Sequence, residues 1–327
     1  MAKVKWGVLS TADIGVSKVI PAMQQAEHVD VVAIASRDLE RGKSVAASLG
    51  IPTTYGSYDD LLAAPDVDAV YIPLPNHLHV EWSIKALEAG KHVLCEKPIG
   101  LSAAEAEQLQ AAGRQYPNLR LMEAFMYRHH PQWVKTKELV DTGEIGTLKT
   151  IGAFFSYDNR DPENIRNKAD IGGGGLMDIG CYPISVARFL FDDEPARVAA
   201  SLEFDPDFGT DAYGSVLMEF GAGTAAFTYS TQLEAHQRVN AVGTEGRIEV
   251  MIPFNAPPDR PCVINLTKDG KERTIEFPTT DQYTVQGELM SLAILNDTPV
   301  PTPIDDAVAN MRVIERCFAS ARNRSWE

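Results

Sequence analysis

The chain is 327 residues long, 44% hydrophobic and 23% charged, with a formal net charge of −15. That length exceeds what one hydrophobic core usually serves and suits two domains. The acidic balance speaks against a nucleic-acid partner, which needs clustered lysine and arginine, and no apolar run reaches the roughly 20 residues of a membrane helix.

The N-terminus enters a strand at once, Lys5-Trp6-Gly7-Val8-Leu9, and is expected to leave no room for a signal peptide. Cys95, Cys181, Cys262 and Cys317 are widely spaced and form no CxxC pair. They read as buried free thiols of a reducing, cytoplasmic compartment, not as a zinc site or a disulfide frame. After the first strand come Ser10-Thr11-Ala12-Asp13-Ile14-Gly15 and a helix through Met23. The spacing is that of the dinucleotide fingerprint GxGxxG, with only its third glycine kept. Ala12 is small enough for a pyrophosphate to approach the backbone, Ser10 departs at the tight-turn position, and amides at the helix start suit phosphate. The second strand, Asp30 to Ala35, ends in Ser36-Arg37-Asp38, about 20 residues past the glycine turn. An acid there selects NAD through the ribose 2′-hydroxyl. Ser36 and Arg37 instead suit a 2′-phosphate and favour NADP, while Asp38 keeps NAD possible.

Strand and helix go on alternating. Ala69 to Ile72 is a core strand ending in Pro73-Leu74-Pro75-Asn76-His77, and residues 78–90 form an amphipathic helix. Val93-Leu94-Cys95 then leads into Glu96-Lys97-Pro98. Two ionisable residues at the end of a buried strand are costly without a purpose, and Pro98 restricts the Lys97 backbone; on the local sequence alone the two read equally as a surface ion pair or as a site. This rhythm predicts a parallel, doubly wound sheet whose strand ends share one edge, where ligands bind in such folds.

Beyond a last strand at Leu119 to Met122 and a helix at Pro131 to Val140, a strand from Leu148 to Phe155 precedes a polar loop, Tyr157 to Asp170. Gly172 to Gly175 follow, readable as slack or as room for close approach of a ligand. Leu176, Ile179, Pro183, Val186 and Leu190 form the apolar stripe of the next helix. Asp178 and Tyr182, four apart, share another face, and Pro183 is expected to kink the helix. On residue type alone Tyr182 is either a packed ring or an acid/base. Seven strands between residues 198 and 276 alternate in polarity, as in Arg247-Ile248-Glu249-Val250-Met251, and predict an antiparallel sheet with one wet face. Helices near 283–295 and 305–321 end the chain. His129 and His130 are adjacent, and no His/Asp/Glu cluster has ligand spacing, so no metal is expected.

In order along the chain, Pro73 to His77, Glu96-Lys97-Pro98, Glu123-Ala124-Phe125-Met126-Tyr127-Arg128 and Gly172 to Tyr182 resemble the glucose–fructose oxidoreductase and inositol dehydrogenase (GFO/IDH/MocA) family of NAD(P)-dependent sugar and polyol oxidoreductases. The resemblance covers essentially the whole chain and is most similar to the dihydrodiol and D-xylose dehydrogenase branch, where tyrosine takes the acid/base place that inositol dehydrogenases give to histidine. It implies an α/β Rossmann domain over residues 1–124. An α+β domain follows over 125–327, with a large, mostly antiparallel, open-faced sheet and last helices that return to the first domain. It implies Lys97 and Tyr182 as an acid/base pair from different domains, the ammonium lowering a phenol pKa of about 10, and Asp178 orienting the substrate or Lys97. Ser10, Thr11, Ala12, Ile14, Gly15, Ser36, Arg37, Leu74, Pro75, Asn76, His79, Glu96 and Lys97 would surround the cofactor. Tyr157 and Arg166, with Asp178 and Tyr182, would meet a small sugar, polyol or diol. The sheet would carry a homodimer or homotetramer. Two rivals share the fold: a sugar-modifying enzyme with a tightly held, recycling nicotinamide, and a non-catalytic sensor, whose mark would be loss of Lys97 or Tyr182.

Overall fold

The structure, a computed structural model, describes residues 2–327. The described residues divide into two compact units, those up to 126 with 281–308, and residues 127–280 with 309–327.

The first unit opens β1 (Val4–Leu9), α1 (Ile20–Met23), β2 (Val29–Ala35), α2 (Leu39–Leu49), β3 (Thr53–Tyr55) and α3 (Tyr58–Leu62). It continues β4 (Ala69–Ile72), α4 (His79–Glu88), β5 (His92–Cys95), α5 (Ala103–Gln115) and β6 (Leu121–Glu123). The six strands pair in parallel in the order β3-β2-β1-β4-β5-β6. Strand order reverses between β1 and β4, and a doubly wound sheet binds ligands outside the strand ends at that point. Val8, Val31, Ile34, Tyr71 and Leu94 are buried in the core, as near-continuous apolar strands covered on both faces must be.

The second unit contains α6 (Pro131–Asp141), β7 (Leu148–Asp158), α7 (Cys181–Phe191), β8 (Arg197–Phe204), β9 (Asp211–Glu219) and β10 (Thr224–Ser230). Then come β11 (Gln232–Gly243), β12 (Gly246–Val250), β13 (Cys262–Lys268) and β14 (Lys271–Phe277). The eight strands lie in the order β14-β13-β12-β11-β7-β10-β9-β8. All neighbours are antiparallel except β10 and β7. β7 outruns its expected end at Phe155 because β11 pairs with it as far as Asp158, across an irregularity between Gln232 and His236. β11 begins at Gln232, and the polar side chains of its first residues carry no strand pattern.

α8 (Gln282–Leu295) belongs to the first unit, and α9 (Ile304–Asn323) is divided between the two. The buried Trp6 indole donates to Ser291 Oγ at 3.1 Å, and Thr284 Oγ1 donates to Ala22 O at 2.8 Å. Met290 sits in the same core as β1. All four cysteines are free and buried. Among the described residues no helix is long and apolar enough to cross a membrane.

Candidate active site

In the first unit the parallel strands open their carboxyl ends on one edge, with Leu9 opposite Ala35 and Ile72 opposite Cys95. Ser10 takes φ 130°, a conformation that favours glycine, and its hydroxyl accepts the Ala12 N–H at 3.0 Å. The serine thus adopts the turn that the fingerprint reserves for glycine. Thr11 and Gly15 are buried, Ala12 and Ile14 half-buried. A Cβ on Gly15 would stand 3.4 Å from Pro73 and 3.6 Å from Tyr71, which places the β1 turn against the end of β4.

At the end of β2, Ser36 is buried and its hydroxyl accepts the Asp38 N–H at 3.2 Å. Asp38 is the N-cap of α2 and accepts the Arg41 N–H at 3.1 Å. Its carboxylate therefore serves the helix start. Arg37 is exposed and lies beside Tyr58, whose phenol burial raises while the Arg37 charge opposes. Arg41 Nη2 donates to Thr11 O at 3.1 Å, bringing a second guanidinium to the same edge. Arg41 is not legible as a site residue in the sequence, because a cation in the first turn of a helix carries no signal of the loop it will reach.

At the end of β5, the buried Tyr71 hydroxyl donates to Glu96 Oε1 at 2.6 Å, and the Lys97 N–H donates to Glu96 Oε2 at 3.3 Å. Burial first and the Glu96 charge second push the Tyr71 phenol far up, so it remains a donor. Glu96 and Lys97 are half-buried, and the Lys97–Pro98 peptide is cis. Leu74 is buried, Pro75 and Asn76 half-buried. His79, expected at the cofactor, is 1% exposed, with Nε2 2.7 Å from Leu74 O and Nδ1 2.8 Å from Pro98 O. Both ring nitrogens face backbone carbonyls.

In the second unit the predicted substrate residues converge. Asp178 Oδ2 accepts the Tyr157 hydroxyl at 2.5 Å and Arg166 Nε at 2.9 Å. The Asp178 charge holds the Arg166 guanidinium firmly protonated, with Tyr157 and Tyr182 contributing in the same direction. Asp178 lies in a π-turn, Leu176–Gly180, that runs into α7 carrying Tyr182. The Cys181 N–H reaches back to Leu176 O, a widened turn just ahead of Pro183, which has no N–H of its own to give. The expected kink is thus a π-turn. Tyr182 is 5% exposed, and its ring lies 5.2 Å from Phe254 and 5.7 Å from both Tyr127 and Phe155. Phe254 was not legible as a site residue, since its loop has no pattern; Tyr127 falls in a segment already singled out.

The glycine run has a packing cause. Gly174 has φ 123°, and a Cβ there would strike Asp211 Oδ1. A Cβ on Gly175 would come within 2.6 Å of the Tyr229 ring, and one on Gly173 within 2.6 Å of Arg166 O. Asp211 is buried and accepts the Leu176 N–H at 2.6 Å and the Tyr229 hydroxyl at 2.5 Å, so it caps the π-turn from below. Slack is not the reason for these glycines.

The profile of an oxidoreductase family with an NAD-binding Rossmann fold matches residues 4–125, and that of the GFO/IDH/MocA C-terminal domain matches residues 133–249. The chain belongs to the GFO/IDH/MocA family. It is 44% identical to an uncharacterized oxidoreductase, ORF334, of Rhizobium meliloti, over 100% of this chain and 99% of that one. It is 40% identical to D-xylose 1-dehydrogenase (NADP(+)) 2 of Haloferax volcanii, covering 97% of each. A crystal structure of KijD10, a 3-ketoreductase from Actinomadura kijaniata in complex with NADP and TDP-benzene, superposes with a TM-score of 0.90 at 32% identity, over 97% of this chain and 98% of that one.

Glu27, His28 and Glu288 bring potential ligand atoms within 4.8 Å of one another, a cluster invisible in the sequence because Glu288 lies on α8. The Glu288 carboxylate already accepts the His28 N–H at 3.0 Å and contacts its ring at 2.5 Å.

Proposed function

We propose that this GFO/IDH/MocA oxidoreductase is an NADP-preferring dehydrogenase or reductase of a small sugar, polyol or cyclic diol. The observation that carries the reading is the gathering of Tyr157, Arg166, Asp178 and Tyr182 around one π-turn. A phenol, a carboxylate and a guanidinium so grouped can orient a polyhydroxy substrate and move one proton. NADP, when bound, supplies or accepts the hydride. The strand edge fits it: Arg37 is exposed, Arg41 is tethered to Thr11 O, and the Asp38 carboxylate is used by the helix, a balance of charge suited to a 2′-phosphate.

In the oxidative direction Tyr182 takes the hydroxyl proton, and Lys97 binds the reacting oxygen and lowers the phenol pKa by its charge. Tyr71 and the Lys97 N–H hold Glu96, so the residue preceding Lys97 is fixed. Asp178, held by Tyr157 and Arg166, orients the substrate hydroxyls. In this reading residues 1–124 serve the cofactor and the sheet-bearing part serves the substrate and assembles the chain as a homodimer or homotetramer.

A panel of aldoses, inositols and cyclic diols, followed by nicotinamide absorbance with NADP and with NAD, tests the reading. Turnover of at least one member with NADP is expected, and Tyr182→Phe should lower it by about 10²–10⁴-fold, the usual worth of a positioned general base. A Tyr182→Phe enzyme of near-normal rate from pH 6 to 10 would remove the phenol from the mechanism.

A further inference from the structure

The backbone ladder between β4 and β5 reaches the bond from the Glu96 N–H to Ile72 O at 3.1 Å. Past it the two strands run into proline-containing turns, Pro73-Leu74-Pro75 and Lys97-Pro98. A side chain links those turns. His79 opens α4, and its ring is inserted beneath the turn, with Leu74 O on one edge and Pro98 O on the other. We propose that His79 is a positioning residue for Lys97, its imidazole adding one rung to the β4–β5 ladder and fixing the Lys97–Pro98 turn against the turn that bears Leu74, Pro75 and Asn76. The proposal rests on the reading of Lys97 as catalytic.

Imidazole suits the place because its two nitrogens lie on opposite edges of a rigid ring. Carbonyl oxygens only accept, so an imidazolium satisfies both and a neutral ring donates to one. Geometry and environment pull in opposite directions here. Burial lowers the pKa of His79 to about 4; the bonds to Pro98 O and Leu74 O oppose this, and the charges of Lys97 and His77 reinforce it. Burial prevails at neutral pH, because a buried cation beside an ammonium costs more than one hydrogen bond returns. At neutral pH the ring is therefore a rigid wedge that donates to one carbonyl and sets its bare nitrogen against the other. Glutamine carries two N–H donors on its carboxamide beside one acceptor, so it supplies at least the one bond that the neutral ring donates. Leucine fills similar volume with neither, and asparagine is too short to reach both carbonyls.

The test uses the NADP-loaded full chain with whichever aldose or diol of the panel the wild type turns over. His79→Leu should lower kcat on the order of 10- to 100-fold, as expected for a catalytic group displaced by about 1 Å, and should displace the pKa seen in the kcat–pH profile. His79→Gln should restore both towards wild type. If the leucine variant does not fold, His79→Asn decides, with the same loss expected. A folded leucine or asparagine variant with wild-type kcat and an unmoved profile overturns the proposal. So does a loss confined to NADP affinity, measured by fluorescence titration, because the ring would then serve only the Leu74 turn. The two readings fail separately. An active Lys97→Met enzyme removes the catalytic lysine, whereas a dead Lys97→Met beside an indifferent His79→Leu removes only His79.

Discussion

Charge at single positions makes the sharpest predictions. Arg37 is the exposed cation at the end of β2, and its loss should be felt by a 2′-phosphate and not by a 2′-hydroxyl. Arg37→Ala is expected to raise the NADP dissociation constant on the order of 10- to 100-fold, the worth of one charge-assisted hydrogen bond, with little change for NAD. Equal losses for both cofactors in a titration would show that Arg37 does not touch the phosphate. Lys97 and Tyr182 are expected to act as one unit. Lys97→Met should abolish turnover while NADP still binds, because the residues proposed to hold its phosphate and ribose lie at other strand ends. The double variant should then be little worse than the poorer single one, as groups that act together are strongly non-additive. Multiplicative losses in kcat would mean that the ammonium and the phenol do separate jobs.

At the scale of elements, most strands and helices are legible in the sequence, because their patterns are local. Trp6-Gly7-Val8-Leu9 is a buried run between polar turns, and Ser102 three residues before Glu105 marks the cap observed on α5. What is not legible depends on pairing. The parallel contact of β10 with β7 joins residues more than seventy positions apart, and no local pattern encodes it. The two π-turns, Gly15–Val19 and Leu176–Gly180, each precede a proline, Pro21 and Pro183. Each proline was legible, but the wider turn that accommodates it was not. Asp211 was overlooked too, since an acid opening a strand looks like a turn residue until Leu176 and Tyr229 are seen to donate to it. Burial raises its carboxyl from 3.8 to about 6, outweighing those bonds. The folded chain thus holds this proton more tightly than the unfolded one. The stability so gained is fully present below about pH 4 and is lost as pH rises through about 6. Asp211→Asn keeps an acceptor for the Leu176 N–H and cannot ionise. Urea unfolding of this variant from pH 4 to 8 should be flatter than that of the wild type, and an unchanged slope would place the titration elsewhere.

At the scale of the whole molecule, the eight-stranded sheet has unequal faces. One is covered: α7 packs on β7 and α6 on β13, over buried Ile151, Phe155, Ile264 and Leu266. The other is open, and along β9 the alternation exposes Tyr213 and Leu217 while burying Val216 and Met218. Phe154, Leu217, Ala226 and His236 line a broad depression of about 850 Å³ on it. Apolar side chains grouped on an open sheet face are a common mark of an interface, and a twofold axis would set this surface against its own copy. Such an interface buries on the order of 1,600 Å² or more, and every substitution enters it twice. Leu217→Glu would therefore place two carboxylates in an apolar contact between chains that each already carry −15. Light scattering at micromolar concentration should give two or four chain masses for the wild type and one for Leu217→Glu, with the Rossmann unit's NADP affinity retained. A wild-type chain of 35.8 kDa in solution would show that the open face is covered by nothing of its own kind. An oligomer indifferent to Leu217→Glu would put the interface on another surface.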